Sequence, residues 1–143
     1  MARAEVRVEL GSWDRLADEA TPIRHAVFVA EQGVPVAIEL DEWDAVSLHA
    51  IARDREGRAI GTGRLLPDGH IGRMAVLKAA RGAGAGTSIL LALMDAARQR
   101  GHREVVLNAQ THAAPFYRRL GFVEEGDVFD DAGIPHIAMR RAL

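Results

Sequence analysis

The stretch HIGRMAVLKAARGAGAGTSILLALMDAARQR, residues 70–100, decides the fold. Its first eight residues, His70 to Leu77, are apolar enough and short enough to read as a strand. Arg81-Gly82-Ala83-Gly84-Ala85-Gly86 follows as a glycine-rich loop. From Thr87 to Arg100 the apolar residues Ile89, Leu90, Leu93, Met94 and Ala97 recur at helical spacing, and Gly101 is a helix stop. Strand, glycine loop and helix are therefore joined without a linker. Glycine lets a backbone approach an anion closely, and the first N–H groups of a helix have no partner of their own. The macrodipole and Arg81 add positive potential. The loop is thus a candidate diphosphate cradle. The competing reading is a glycine-rich turn that only packs a helix tightly on a sheet.

Spacing separates the loop types. A P-loop needs a Lys before the Ser or Thr, and Thr87 is preceded by Gly86. A dinucleotide fingerprint running from Gly82 through Gly84 needs Gly at 87, which is Thr, and it belongs after the first strand of a βαβ unit. Neither pattern is met.

Working outward, Leu48–Arg53 and Ala59–Leu66 read as two strands around the turn Arg55-Glu56-Gly57-Arg58, and Leu66-Pro67-Asp68-Gly69 turns the chain into the strand at His70. Upstream, Ala4 to Leu10 alternates, with Val6, Val8 and Leu10 on one face. Ser12 is an expected N-cap for a helix holding Arg15 and Leu16. A second helix is expected from Pro22, in its first turn, to about Gln32, with Gly33 as its stop. Downstream, Glu104–Leu107 reads as a short buried strand, Ala113–Leu120 as a short helix stopped by Gly121, and Ile137–Arg140 as a last strand. The order β-α-α-β-β-β-loop-α-β-α-β predicts a mixed α/β domain over residues 1–143 with one central sheet.

Composition excludes several classes. The chain has 143 residues, 48% of them hydrophobic and 27% charged, which argues against disorder. The formal net charge of -2 gives no reason to expect nucleic-acid binding or a membrane surface. With no cysteine, disulfides, thiolate metal sites and a cysteine nucleophile are excluded. The six histidines form neither H-x-H nor H-E-x-x-H, so no metal is expected. MARAEVRVEL has no apolar core of a signal peptide, and no apolar run approaches the ~20 residues of a membrane span, so a cytoplasmic protein is expected.

These features together resemble the GNAT N-acetyltransferases. Arg81-Gly82-Ala83-Gly84-Ala85-Gly86 matches their [RQ]-x-x-G-x-[GA] signature, HIGRMAV precedes it as the expected strand, and FYRRLGF (Phe116 to Phe122) follows downstream. A narrower resemblance is to the ElaA/YjcF-like branch. It rests on VFVAEQGVP (Val27 to Pro35), ELDEWD (Glu39 to Asp44), LHAIA, GTGRL, LNAQTHAAPFY (Leu107 to Tyr117) and GIPHIAM (Gly133 to Met139). The resemblance implies a mostly antiparallel sheet splayed between its fourth and fifth strands, with acetyl-CoA in the gap. It implies that Met74, Ala75 and Val76 pair with the pantetheine arm and that a backbone N–H there polarises the thioester carbonyl. Arg81, Gly82, Ala83, Gly84, Ala85, Gly86 and Thr87 would hold the pyrophosphate. Asn108 would meet the pantetheine across the splay, with Phe116 and Arg119 toward the rest of the cofactor.

The reaction so implied is aminolysis of a thioester in a ternary complex. Tyr117, the one tyrosine, occupies the position where such enzymes carry the acid for the departing thiolate. Its alternative is a core aromatic with a hydrogen-bonded hydroxyl. Glu31, Asp41, Asp44, His49 and His136 are candidates for the base. Glu31, Gln32, Asp41 and His136 are expected to contact the acceptor, a small-molecule amine. On composition the ELDEWD stretch reads as a solvated loop; beside the acceptor pocket its carboxylates would favour a compact cationic amine. His112 is read as a capping or pocket residue. Arg64 and Arg73, amid apolar neighbours, are read as members of salt bridges, because an unpaired buried charge is costly. Trp13 and Trp43 are read as packing residues. Homodimerisation is suggested only by the family. Two other readings stay open: a non-catalytic acyl-CoA-binding module or sensor, and a nucleotide-binding protein using the loop differently.

Overall fold

The computed structural model describes residues 5–143. Four strands form an antiparallel meander in the order β1-β2-β3-β4: β1 (Arg7–Gly11), β2 (Leu48–Arg53), β3 (Ala59–Leu65) and β4 (Ile71–Val76). The expected start of the first strand at Ala4 lies outside the described residues. A second antiparallel sheet has the order β5-β7-β6, with β5 (Glu104–Gln110), β6 (Val123–Asp131) and β7 (Ile134–Ala142). One parallel bridge, His70 to Val106, joins the two sheets. The expected central sheet therefore exists with its splay, and β4 and β5 diverge so far that its halves pair separately.

Helix α3 (Ala85–Gln99) lies across the first sheet and buries Ile89, Leu90 and Leu93 completely. Each such side chain is worth about 1.5–3 kcal/mol on burial. Its close approach rests on two glycines of β3. A Cβ on Gly63 would stand 2.8 Å from the Met74 sulfur and 2.9 Å from Ile89, and one on Gly61 would stand 2.9 Å from Ile89. The helix begins at Ala85, two residues before its expected start, so Ala85 and Gly86 belong to its first turn.

Three expectations need correction. Pro22 does not open a second helix but sits inside α1 (Trp13–Arg24), which continues directly into a π-helical turn, His25–Glu31; the next helix, α2 (Val36–Glu39), is a single turn. Proline cannot donate to the preceding turn. Beyond it the ladder widens, as the Gln32 N–H to Val27 carbonyl bond of 3.1 Å shows. Strand β6 has no counterpart in the expected order. All nine of its residues are exposed, and VEEGDVFDD carries no apolar alternation to mark it. It is held by β7 through a tight turn in which Ala132 (φ 53°) and Gly133 (φ 80°) are both left-handed, as a two-residue hairpin requires. The last strand is also longer than Ile137–Arg140.

Strand β4 carries a bulge. Thr62 pairs with Ala75 and Arg64 with Gly72, so Arg73 and Met74 together face Gly63. Arg73 takes φ 49°, a left-handed conformation in a residue with a side chain. Among the described residues, no helix is long and apolar enough to cross a membrane.

Candidate active site in the splay

Where β4 leaves β5, a cavity of about 810 Å³ opens between the sheets. That is ample for a drug-sized ligand. Arg73, Met74, Ala75 and Val76 line one wall; Asn108, Gln110 and His136 line the other. The wall of β4 is hydrogen-bonded to β3 on its far side and tied to β5 only near His70. An extended chain placed in the gap would thus meet a strand edge.

The glycine turn lies at the end of β4. Gly82 (φ 90°) and Gly84 (φ 87°) are left-handed, and no atom lies within 4 Å of a Cβ built on either. Glycine is required there by backbone conformation and leaves the surface open. Gly84 precedes α3, and the Ser88 N–H to Gly84 carbonyl bond of 3.0 Å closes its first turn. The N–H groups of Ala85, Gly86 and Thr87 lie before that bond and have no intrahelical acceptor. Phe116 comes within 3.5 Å of the Cβ position on Gly86, which fixes α4 (Ala114–Arg119) against the turn. An anion at this N-terminus meets open backbone and favourable dipole, so the residues present fit a diphosphate.

Arg81 is already engaged. Its Nη atoms each donate to Glu31 at 2.7 Å, and its Nε donates to the Val76 carbonyl at 3.0 Å. The pair holds the Glu31 carboxyl below its usual range. The structure therefore places Arg81 and Glu31, expected in two different subsites, together on one wall of the cavity. Gln32 also lines it and accepts from the Gln110 amide at 2.9 Å, bridging the opening.

Tyr117 lines the cavity with its ring edge-on to Phe116 (5.0 Å between centroids) and Phe122 (5.9 Å). Burial pushes its hydroxyl pKa up to about 12. His136 is 9% exposed, with its ring stacked on Phe129. Its Nδ1 lies 2.7 Å from the Ile134 carbonyl. Only a protonated nitrogen can make that bond, so in the neutral imidazole Nε2 carries the lone pair. His112 is exposed in a short 3₁₀ turn and lines the cavity too. Of the glycine turn only Arg81 lines the cavity; Gly82 to Thr87 and Phe116 lie outside its lining, as does the exposed Arg119.

The ELDEWD stretch is not a solvated loop. Arg24 is 1% exposed and takes the Glu39 carboxylate on Nε (3.0 Å) and Nη2 (2.8 Å), and Asp44 on Nη1 (2.6 Å). Arg64 donates to Asp41 (2.6 Å) and Asp44 (2.9 Å). Arg73 reaches Glu39 and Asp41 at 3.2 Å each. Burial raises the Asp44 carboxyl, but Arg24 and Arg64 outweigh it, leaving the group below its usual range; Asp41 is held low by Arg64 and Arg73 against the same burial. Asp41 and Asp44 do not line the cavity, and neither does His49. His49 is buried, bonded through Nε2 to the Asp44 carbonyl at 2.8 Å, and packed against Trp13. Trp43, expected as a packing residue, is 47% exposed at the cavity wall. Arg24 and Glu39 escaped sequence reading. The available signal was an arginine on the apolar stripe of Leu16, Ala20, Ile23 and Val27.

Residues 17–143 match the acetyltransferase (GNAT) domain family. The chain is 42% identical over 127 residues to the uncharacterized N-acetyltransferase YjcF of Bacillus subtilis, covering 86% of this chain and 90% of that one. Among solved structures it is similar to an acyl-CoA N-acyltransferase from Pseudomonas aeruginosa, at 33% identity and TM-score 0.84 over 96% of this chain and 100% of that one. It is also similar to Escherichia coli ElaA, at 25% identity and TM-score 0.83 over 96% and 99%.

Proposed function

The chain belongs to the GNAT acetyltransferase family, and from that premise we propose that it transfers the acetyl group of acetyl-CoA to the primary amine of a small molecule, with both bound together. The observation that carries this reading is the open edge of β4 running into the left-handed glycines at the N-terminus of α3. The thioester supplies an activated acetyl group when bound. Backbone groups of Met74 and Ala75 receive the arm that bears it, as an added strand. A bulge N–H donates to the carbonyl oxygen as negative charge develops there. The N–H groups at the start of α3 hold the pyrophosphate.

The acceptor amine must lose a proton to attack. His136 Nε2, with its lone pair fixed by the Nδ1 bond, takes that proton. The carbon–sulfur bond breaks as the carbon–nitrogen bond forms, and the leaving thiolate gains the proton of Tyr117. Burial keeps Tyr117 protonated at neutral pH, and the same apolar surroundings raise the proton affinity of the thiolate beside it. No covalent enzyme intermediate is needed.

Thermal-shift titration with acetyl-CoA, against CoA and ATP, tests the donor. A hundredfold excess over Kd should add about 2.7 kcal/mol, which raises Tm by roughly 5–10 °C. No rise with acetyl-CoA at millimolar concentration overturns the reading. Thiol release over many turnovers with an amine separates an enzyme from an acyl-CoA-binding module.

A further inference from the structure

Three arginines and three carboxylates meet behind the acceptor side of the cavity, and they are unequally matched. Arg24 and Arg64 hold Glu39, Asp41 and Asp44 with contacts as short as 2.6 Å. Arg73 has the longer ones: 3.1 Å to the Glu39 carbonyl, 3.2 Å to the Glu39 and Asp41 carboxylates, and 3.4 Å to the Ile38 carbonyl. All of these use Nε and Nη2. Among the described residues Nη1 of Arg73 has no partner, and the residue lines the cavity. Arg64, also on that wall, has a buried Nε without a partner. Burial and the neighbouring Arg64 push the Arg73 guanidinium down from its usual range.

The backbone adds a second observation. Position 73 is left-handed, the conformation glycine adopts without strain, yet glycine stands one residue earlier, at a position where it is not left-handed. The bulge thus carries an arginine side chain into the cavity wall at the cost of local strain. Met74 follows directly, so whatever Arg73 holds lies close to the proposed site of acetyl transfer.

We propose that the acceptor is an amine that bears a carboxylate, an amino acid, whose carboxylate is received by Nη1 of Arg73. This rests on the acetyl-transfer reading above and names its substrate class. It replaces the expectation of a purely cationic amine, because Glu39, Asp41 and Asp44 are occupied by arginines. Glu31 on the cavity wall is likewise paired, with Arg81, and Asp68 there accepts a hydrogen bond from the His70 backbone N–H at 3.0 Å. Asp131 at the β6–β7 turn also lines the cavity and has no side-chain partner among the described residues, which leaves it available to an ammonium group. A guanidinium suits a planar carboxylate better than it suits a hydroxyl.

The test is thiol release from acetyl-CoA with the twenty amino acids, β-alanine and γ-aminobutyrate, each beside its amide and its decarboxylated amine, and with polyamines and amino sugars. The expected result is turnover of at least one amino acid with kcat/KM at least tenfold above its amide. Arg73→Gln should then raise KM for that amino acid at least tenfold, Arg73→Lys less, and both should leave the acetyl-CoA Kd within twofold. Arg73→Gly, which suits the left-handed backbone, should behave like Arg73→Gln and serves where the latter folds poorly. Equal or better turnover of amides, amines or amino sugars overturns the proposal, as does acetyl-CoA binding with no carboxylate-bearing amine turned over. Failure to bind acetyl-CoA at all would instead remove the acetyl-transfer reading beneath it.

Discussion

Glu31 receives both Nη atoms of Arg81 at 2.7 Å each, and so ties the π-helical turn to the first residue of the glycine turn. The pair is partly exposed, so it adds little to folding and matters for what binds beside it. A phosphate arriving at α3 would meet a guanidinium already balanced by a carboxylate. Glu31→Gln should therefore tighten acetyl-CoA about twofold to fivefold, the scale of an exposed pair. Arg81→Ala should weaken it by a similar factor, and both effects should shrink with salt. Isothermal titration at two ionic strengths checks this; a weaker Kd in Glu31→Gln would mean that the carboxylate only positions the loop.

Tyr117→Phe removes one hydroxyl and keeps the ring against Phe116 and Phe122. The kcat for acetyl transfer should fall about 100-fold, the lower range for a positioned acid, with acetyl-CoA Kd unchanged. Because the hydroxyl titrates at about 12, no loss of rate from its ionisation should appear up to pH 10. An unchanged kcat removes the acid role.

Gly84 has φ 87° with open space where a Cβ would stand. Its cost on substitution is conformational alone. Gly84→Ala should destabilise the protein by about 1–2 kcal/mol, and acetyl-CoA affinity should fall with the displaced N–H groups of α3. Gly84→Asn should lose less stability, since asparagine tolerates the left-handed region better. Urea unfolding of the three proteins gives the ranking.

The same glycines show which features the sequence made legible. The order strand, glycine turn and helix around residues 70–100 is written in local periodicity and in residues that accept positive φ, so it could be read directly. Tyr117 and Asn108 both line the cavity, and no local periodicity marks either of them for that wall. Strand β6 was hidden because an exposed edge strand needs no apolar alternation, only backbone partners on β7. The ion cluster was hidden for a different reason. Arg24 finds Glu39 and Asp44 fifteen and twenty residues away, and only the fold brings them together. An acidic run looks solvated until its counter-charges are located.

Gly63 carries the opposite kind of constraint. Its φ is ordinary, but a Cβ there would meet Met74, Ile89 and Leu93 at 2.8, 2.9 and 3.1 Å. Gly63→Ala should cost about 1–3 kcal/mol through overpacking. Because Met74 belongs to the β4 bulge, the substitution should also raise the acetyl-CoA Kd. Pairing it with Ile89→Val should recover no stability, because valine keeps the Cγ2 that the new Cβ meets and loses only the Cδ1 that faces Gly61.

The buried cluster sets the response to acid, in two stages of opposite origin. His49 titrates below its ordinary value because it is buried, despite the Asp44 carbonyl. The unfolded chain thus binds a proton near pH 6.5 that the folded chain does not. Stability is therefore constant above that point and falls as pH drops from about 6.5 toward the folded value. Asp41 and Asp44, held low by their arginines, contribute stability that is present above the ordinary carboxylate range and is lost as pH falls through their folded values. Tm should thus decline gently below about pH 6.5 and steeply below about pH 4. Replacing His49 with Asn should flatten the first decline and leave the second. An Asp44→Asn variant should lower Tm at neutral pH, because Arg24 and Arg64 would keep buried charge with one carboxylate fewer, and should show a shallower acid limb. Scanning calorimetry of the three proteins from pH 3 to 8 decides it; a first decline that survives in His49→Asn would assign it to another histidine.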